Sequence, residues 1–301
     1  MSVQSSGHLA MLAFSALVAG SFSLGSMAAN EISPMAITAL RFLIGAGVIG
    51  AAVVMIGQGN RAALRAPWRY VVMGILMAIY FVLMFEGLKT APPVSMSAVF
   101  TLTPVLTAVF SWVMIRQVTT LRMATALAIG AFGALWVIFR ADWSAFLAFE
   151  VGRGEILFFF GCISHAVYPI VVRMLNRGES PLVFTFGMLI AGGLLLVVLS
   201  LPDLLATDWA QLPAIVWICL GYISVFATAC SFFLLQFAAL RLPSAKVMAY
   251  TYLIPSWVIC WEIALGNGLP GGLVLVGVAS TIVALLLLLK DEQKELVKAD
   301  A

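Results

Sequence analysis

Read along the chain, apolar residues come in ten long runs, and the charged residues fall almost wholly in the gaps between them. The runs lie at about His8 to Ala28, Pro34 to Gly57, Arg69 to Phe85, Pro93 to Ile115, Leu121 to Phe139, Glu155 to Leu175, Pro181 to Leu201, Pro213 to Leu235, Pro243 to Leu265 and Pro270 to Leu289. A helix rises about 1.5 Å per residue and the hydrocarbon core of a bilayer is about 30 Å thick, so one crossing takes about 20 mostly apolar residues. The pattern therefore predicts an all-α polytopic membrane protein of about ten transmembrane helices. Strands fit poorly, because the ten-residue alternation and the polar lumen positions of a barrel are missing. Proline opens several runs, at Pro34, Pro93, Pro181 and Pro243 among others, where its missing amide would have gone unpaired in any case. The ninth and tenth runs are divided by the turn-rich stretch from Gly266 to Gly272.

Composition agrees: 63% hydrophobic, 10% charged and a mean hydropathy of +1.11 lie far from the balance of a water-soluble domain. Residues 1 to 7 carry no Lys or Arg, so the first run reads as a retained helix rather than a signal peptide. Cys162, Cys219, Cys230 and Cys260 all fall inside apolar runs without ligand spacing, and read as small buried hydrophobes. Trp68, Trp112, Trp143, Trp209 and Trp217 stand at or near helix ends, where aromatic belts form. The net charge of +3 points to no nucleic-acid partner, because the basic residues sit at helix ends.

With the N-terminus placed inside, the inner loops and tail carry Arg61, Arg65, Arg69, Arg116, Arg122, Arg173, Arg177, Arg241, Lys290, Lys294 and Lys298, against Lys89, Arg140 and Arg153 outside. That asymmetry predicts that both termini face the cytoplasm. The chain also repeats. Ser33-Pro34 and Gly45 recur as Ser180-Pro181 and Gly192 at an offset of 147, and the Pro92/Pro104 pair recurs as Pro243/Pro255 at 151. Each half then holds five helices, an odd number, so the second copy enters the membrane from the opposite side. The expected organisation is a first repeat over 1–140, an extracytoplasmic linker over 141–154, a second repeat over 155–289 and a charged cytoplasmic tail over 290–301.

The run Ala39-Leu40-Arg41-Phe42, the proline-bounded fourth and ninth helices with Pro104 and Pro255, and the five-plus-five repeat resemble the EamA-type module of the drug/metabolite transporter superfamily. The likeness covers about residues 8 to 289 and is closest to the bacterial amino-acid exporters, the aromatic amino-acid branch among them. It implies two inverted repeats around a central cavity, and export of a small molecule by alternating access. The second half departs from the pattern, with Met188 where Arg41 stands.

No phosphate loop, HExxH, GxSxG or dinucleotide fingerprint is present. With only His8 and His165, a multi-histidine metal site is close to excluded. The sequence thus predicts a non-enzyme with no cofactor and no metal. Ionisable residues within the bilayer are the first candidates for function. Arg41, about 10 Å inside the outer end of its helix, reads first as an ion pair or helix lock and second as a substrate contact. Glu86 and Glu262 read as interfacial anchors, either of which could pair with Arg41. Lys246 lies at the cytoplasmic entrance, where snorkelling is easy and gating is the second reading. His165 falls at the midpoint of its helix beside Ser164, Tyr168 and Pro169, which suits a cavity wall or a helix-to-helix hydrogen bond.

Mid-depth residues of other helices complete the expected site. Tyr80, Phe100, Tyr168, Tyr222, Phe226, Tyr250, Tyr252 and Trp257 would offer aromatic surface. Ser97, Thr101, Ser164, His165 and Ser224 would offer hydrogen bonds, and breaks at Pro104, Pro169 and Pro255 would expose backbone groups. Ala126, Gly130 and Ala134 form a small-residue seam. The expected substrate is a zwitterionic or neutral amphiphile, an apolar or aromatic amino acid, with multidrug or purine export and a non-transporting scaffold as competing readings. The expected partners are this small molecule and the lipid bilayer, with the chain acting as a monomer or as a homo-oligomer.

Overall fold

A computed structural model describes residues 3–58, 65–118, 120–139, 142–144 and 151–299. Among these there is no strand, and the helices form ten spans. The first five are Val3–Ala28, Pro34–Met55, Trp68–Leu88, the broken pair Pro93–Phe100 and Thr103–Ile115, and Leu121–Ile138. The second five are Arg153–Leu175, Pro181–Leu199, the segment Ala214–Ala239 with a π-turn at Val225–Cys230, the broken ninth span over Ser244–Ala264, and Gly272–Ala299. Nine of these are long and apolar enough to cross a membrane, and the tenth has an apolar stretch over Gly272–Leu288. The seventh span stops at Leu199 rather than Leu201, because Pro202 opens a separate short helix, Leu201–Ala206. The positions of Arg61, Arg140 and part of the expected linker lie outside the described residues.

Proline explains the two broken spans. Pro104 has no N–H, so the Phe100 carbonyl loses its donor four residues on. Thr103 Oγ1 supplies one instead at 2.7 Å. In the ninth span Pro255 withdraws the donor for Thr251, and the chain tightens into a 3₁₀ turn over Tyr250–Leu253. Thr281 Oγ1 of the tenth span donates to the Tyr252 carbonyl at 2.9 Å. The two breaks meet, with Thr103 Oγ1 3.3 Å from Thr251 Oγ1. Pro169 behaves differently from the expected break, since its helix continues unbroken from Arg153 to Leu175.

Packing follows the repeat. The second span packs on the seventh, the fourth on the ninth and the fifth on the tenth, so each meets its own counterpart. The first packs on the eighth as the sixth packs on the third. Such pairing between halves of five spans is that of an inverted repeat. Small residues set the closest approaches, Gly74 to Gly192 and Gly133 to Gly277, where a side chain would strike backbone. Ala126, Gly130 and Ala134 are all buried, and Tyr252 lies against Gly130, so that seam is spent inside the bundle.

The loops at 56–58 and 176–180 share one face, where Ser180 Oγ donates to Gln58 Oε1 at 2.6 Å. Ten crossings put both termini on this face too, called here the terminal face. On the far face, Ser33 Oγ donates to Asp203 Oδ2 at 2.5 Å. Cys162 and Cys219 are buried as expected, whereas Cys260 is exposed on the outside of the bundle. An exposed cysteine is no anomaly where the surroundings are lipid rather than water.

Candidate functional site

Five rings from four spans close on one another at the centre. Phe22 of the first span, Tyr80 of the third, Phe100 of the fourth, and Phe158 and His165 of the sixth are each no more than 2% exposed. Phe158 and His165 are seven residues apart, two helical turns, and so share a face. The Tyr80 ring centroid lies 4.5 Å from that of His165, 5.4 Å from Phe100 and 5.6 Å from Phe158. At the depth where an open space was expected, these aromatic rings pack against one another. Two polar atoms inside the cluster, Tyr80 Oη and His165 Nδ1, are buried with no hydrogen-bond partner.

The adjacent residue Phe81 carries the cluster toward a charge. Arg41 is fully buried, and its guanidinium carbon lies 3.7 Å from the Phe81 ring centroid. Its Nε donates to Thr228 Oγ1 at 2.8 Å and its Nη2 to the Ala227 carbonyl at 3.0 Å. Both acceptors belong to the π-turn of the eighth span. The i→i+5 pattern widens that turn and gives backbone groups room to turn outward, a device found often at functional sites. Nη1 has no partner. Phe42 meets Phe81 and Phe232 edge to face, Phe81 and Phe232 being tilted to one another, and Tyr168 Oη accepts from Gln236 Nε2 at 2.8 Å beside Phe232.

The expected partners of Arg41 are elsewhere. Glu86 pairs with Lys89 at 3.0 Å, and Glu262 accepts from Asn267 Nδ2 at 2.9 Å. Both carboxylates are held by far-face neighbours within a turn of their own helix ends, as interfacial anchors are. Lys246 is only 6% exposed, against the expectation of snorkelling. The short helix carrying it, Ser244–Ala249, packs against the fourth and sixth spans, which cover it.

Other expected site residues divide by the face of the helix they occupy. Tyr80, Phe100, His165, Tyr168 and Ser164 are gathered centrally, the last donating to the Leu76 carbonyl at 2.7 Å. Ser97 and Thr101 turn back on their own helix, to the carbonyls of Val94 and Ala98. Ser224 Oγ is buried without a partner. Tyr222 and Tyr252 instead donate to the carbonyls of Leu17 and Leu127, at 3.0 and 3.4 Å, as helix-to-helix contacts. Tyr250 meets His8 at 2.9 Å. Phe226 and Trp257 are 45% and 37% exposed, and Trp257 Nε1 reaches Ser15.

Several contributors escape a reading of the sequence: Thr228 and the Ala227 carbonyl, Phe81, Phe158, and Ser95, whose hydroxyl donates to the buried Glu155 at 2.8 Å. Phe158 was findable, since it stands two turns from His165. The carbonyl at Ala227 carried no signal. Arg69, counted above as a loop cation, is also buried, with Nη2 2.5 Å from Glu179 Oε1 and Nη1 donating to the Leu175 carbonyl at 2.7 Å. Burial pushes the Glu179 carboxyl up, but hydrogen bonds from Arg69 and from the Arg177 amide outweigh it and hold the group below its ordinary 4.5.

The two half-bundles also match a known family. The EamA-like transporter family model matches the chain twice, over residues 5–139 and 152–290. The chain belongs to the EamA-like transporter family. The two matches fall on spans one to five and six to ten, and the EamA repeat is thus the unit whose counterparts face one another in the bundle. A relative, the "Uncharacterized transporter YyaM" of Bacillus subtilis (strain 168), is 23% identical over 262 residues, covering 86% of each protein. One solved structure, described only as a crystal structure of a protein, matches with a TM-score of 0.70 at 20% identity, covering 95% of both chains. At that identity the likeness speaks for the fold alone. Family membership makes this a membrane transporter, and its EamA repeats the framework that holds the ring cluster.

Proposed function

We propose that this EamA-family protein exports small amphiphilic metabolites, above all amino acids with apolar or aromatic side chains, from the cytoplasm across the inner membrane by alternating access. The observation that supports this is the closed ring cluster around Tyr80, Phe100 and His165, which includes unpartnered buried polar atoms and lies close to the crossing of the two broken spans. Aromatic faces suit an apolar side chain, and buried polar groups without partners suit the substrate's polar end. The terminal face would be cytoplasmic, in keeping with its Lys and Arg excess. The repeats would divide near 1–140 and 155–289, and the substrate would pass between them as the bundle rocks. No cofactor and no protein partner is invoked.

Export of multidrug cations or of purines is the second reading. Cation export is disfavoured by one observation: Arg41, a cation itself, is buried beside the cluster without a counter-charge among the described residues, while the buried Glu155 is engaged by Ser95. A scaffold without transport is the reading from another class. Counterflow in proteoliposomes holding only this chain separates them, screened over amino acids, purines and quaternary cations. Saturable counterflow of apolar amino acids is expected. Vesicles that exchange cations or purines but no amino acid would overturn the substrate assignment, and vesicles that exchange nothing would leave the scaffold.

A further inference from the structure

We propose that Arg41 anchors an anionic carboxylate of the substrate, so that the site takes carboxylic acids and their zwitterions and refuses the corresponding esters and amines. This rests on the reading of the ring cluster as the substrate site, and it adds the chemistry of the substrate's polar end.

The case begins with a charge that lacks a counter-charge. Arg41 is 0% exposed, and among the described residues no carboxylate pairs with it. Removing a cation from water without an anion costs several kcal/mol. Two hydrogen bonds to neutral acceptors and the face of Phe81 offset part of that. A guanidinium carries five N–H donors in a planar fork. The π-turn occupies Nε and Nη2, and Nη1 remains unpartnered. A carboxylate is the acceptor that matches a guanidinium edge, with charge-assisted bonds about twice as strong as neutral ones.

Two further orphans extend from the same place. Tyr80 is the sequence neighbour of Phe81, on whose ring the guanidinium rests, and it lies within electrostatic reach of Arg41. Its hydroxyl is buried without a partner, as is Nδ1 of His165, whose ring is 4.5 Å from that of Tyr80. A guanidinium edge, a phenol and an imidazole are thus left unsatisfied on neighbouring side chains of one aromatic cluster. An acid with an apolar or aromatic body satisfies the polar atoms and the rings at once. The opposite repeat has Met188 at the equivalent position, 0% exposed, so the carrier holds one such anchor and gives the substrate one orientation.

A purely structural arginine, locking the second span to the eighth, makes a different forecast. Its replacement would harm folding without changing which ligands bind. The test is therefore a preference ratio, read as ligand-induced thermal stabilisation of the purified full chain in detergent. The probes are phenylalanine, N-acetylphenylalanine, phenylalanine methyl ester and phenethylamine. The two carboxylates are expected to bind about tenfold or more tighter than the ester and the amine, the ratio that a charge-assisted bond supplies. Arg41→Met should abolish the ratio. Tyr80→Phe, which keeps the ring and removes only an unpartnered hydroxyl, should cut it roughly threefold. If Arg41→Met does not yield monodisperse protein, the wild-type ratio and Tyr80→Phe decide alone.

Ester and amine binding as tightly as acid in the wild type would overturn the proposal, as would a ratio unchanged in folded Arg41→Met or in Tyr80→Phe. The proposed export activity fails separately. Amino-acid counterflow with no acid preference leaves transport standing and removes the Arg41 anchor, whereas Arg41-dependent acid binding without amino-acid counterflow does the reverse.

Discussion

The second and seventh spans hold equivalent places in the two repeats and face one another, yet one carries Arg41 and the other Met188. Both side chains are fully buried. Their surroundings differ accordingly. Arg41 meets an eighth span that opens into a π-turn at Val225–Cys230, while the seventh span brings the Met188 backbone carbonyl to Gly74 of a third span that is α-helical throughout. The repeat thus supplies a frame that accepts either residue, and the polar chemistry of one half requires a distortion in its neighbour that the other half does without. Symmetry governs the packing, and the buried charge lies in a departure from it.

The comparison breaks most sharply with Met188→Arg. A second buried guanidinium would face a helix whose carbonyls are already engaged, and the variant should lose about 3–5 kcal/mol, enough to abolish folded protein. Fluorescence-detected size exclusion would check it. A sharp monodisperse peak at wild-type yield would show that the π-turn is not what makes Arg41 tolerable. Thr228→Val comes next, since it leaves Nε of Arg41 without its acceptor at 2.8 Å. The expected loss is about 1–3 kcal/mol, seen as a lower unfolding temperature in detergent.

Glycines sharpen the same contrast. A Cβ on Gly74 would come 2.6 Å from the Gly192 amide, whereas Gly221, the same 147 residues further on, has nothing within 4 Å. Gly74→Ala should destabilise by about 1–3 kcal/mol, and Gly221→Ala should be neutral or stabilise by up to about 1 kcal/mol, as alanine does in a helix. Equal melting temperatures for the two variants would contradict this. The smallest effect belongs to Glu179. Its folded value lies below the ordinary 4.5, so its contribution is present above pH 4.5 and lost as pH falls below that through the folded value. Glu179→Gln should flatten that part of the stability profile, measured by melting between neutral pH and pH 3.

Much of the frame was legible because it is written in residue types with single meanings. Pro34, Pro104, Pro181 and Pro255 marked span starts and breaks, and the offsets of 147 and 151 revealed the repeat. The candidate site was legible in part. Tyr80, Phe100 and His165 were singled out by depth, which follows from counting residues at a fixed rise, and the structure brings their rings together. Depth does not give azimuth. In a soluble helix the polar face reveals the inside, but in a membrane both faces are apolar. Tyr222, Tyr252, Phe226 and Trp257 accordingly stand away from the ring cluster, against other helices or on the outside of the bundle. The same blindness hid the exposure of Cys260 and the burial of Lys246. The acceptors of Arg41 were invisible for another reason: a π-turn and a backbone carbonyl belong to every sequence alike.

A lone guanidinium at the heart of the bundle also makes the protein an electrical device. Any rearrangement that shifts Arg41 along the membrane normal moves charge through the transmembrane field, and a full elementary charge crossing 100 mV is worth about 2.3 kcal/mol. A bound anion cancels that charge. On the proposed reading, a carrier turning over empty or with a zwitterion would feel the membrane voltage, whereas one loaded with an anionic acid would not.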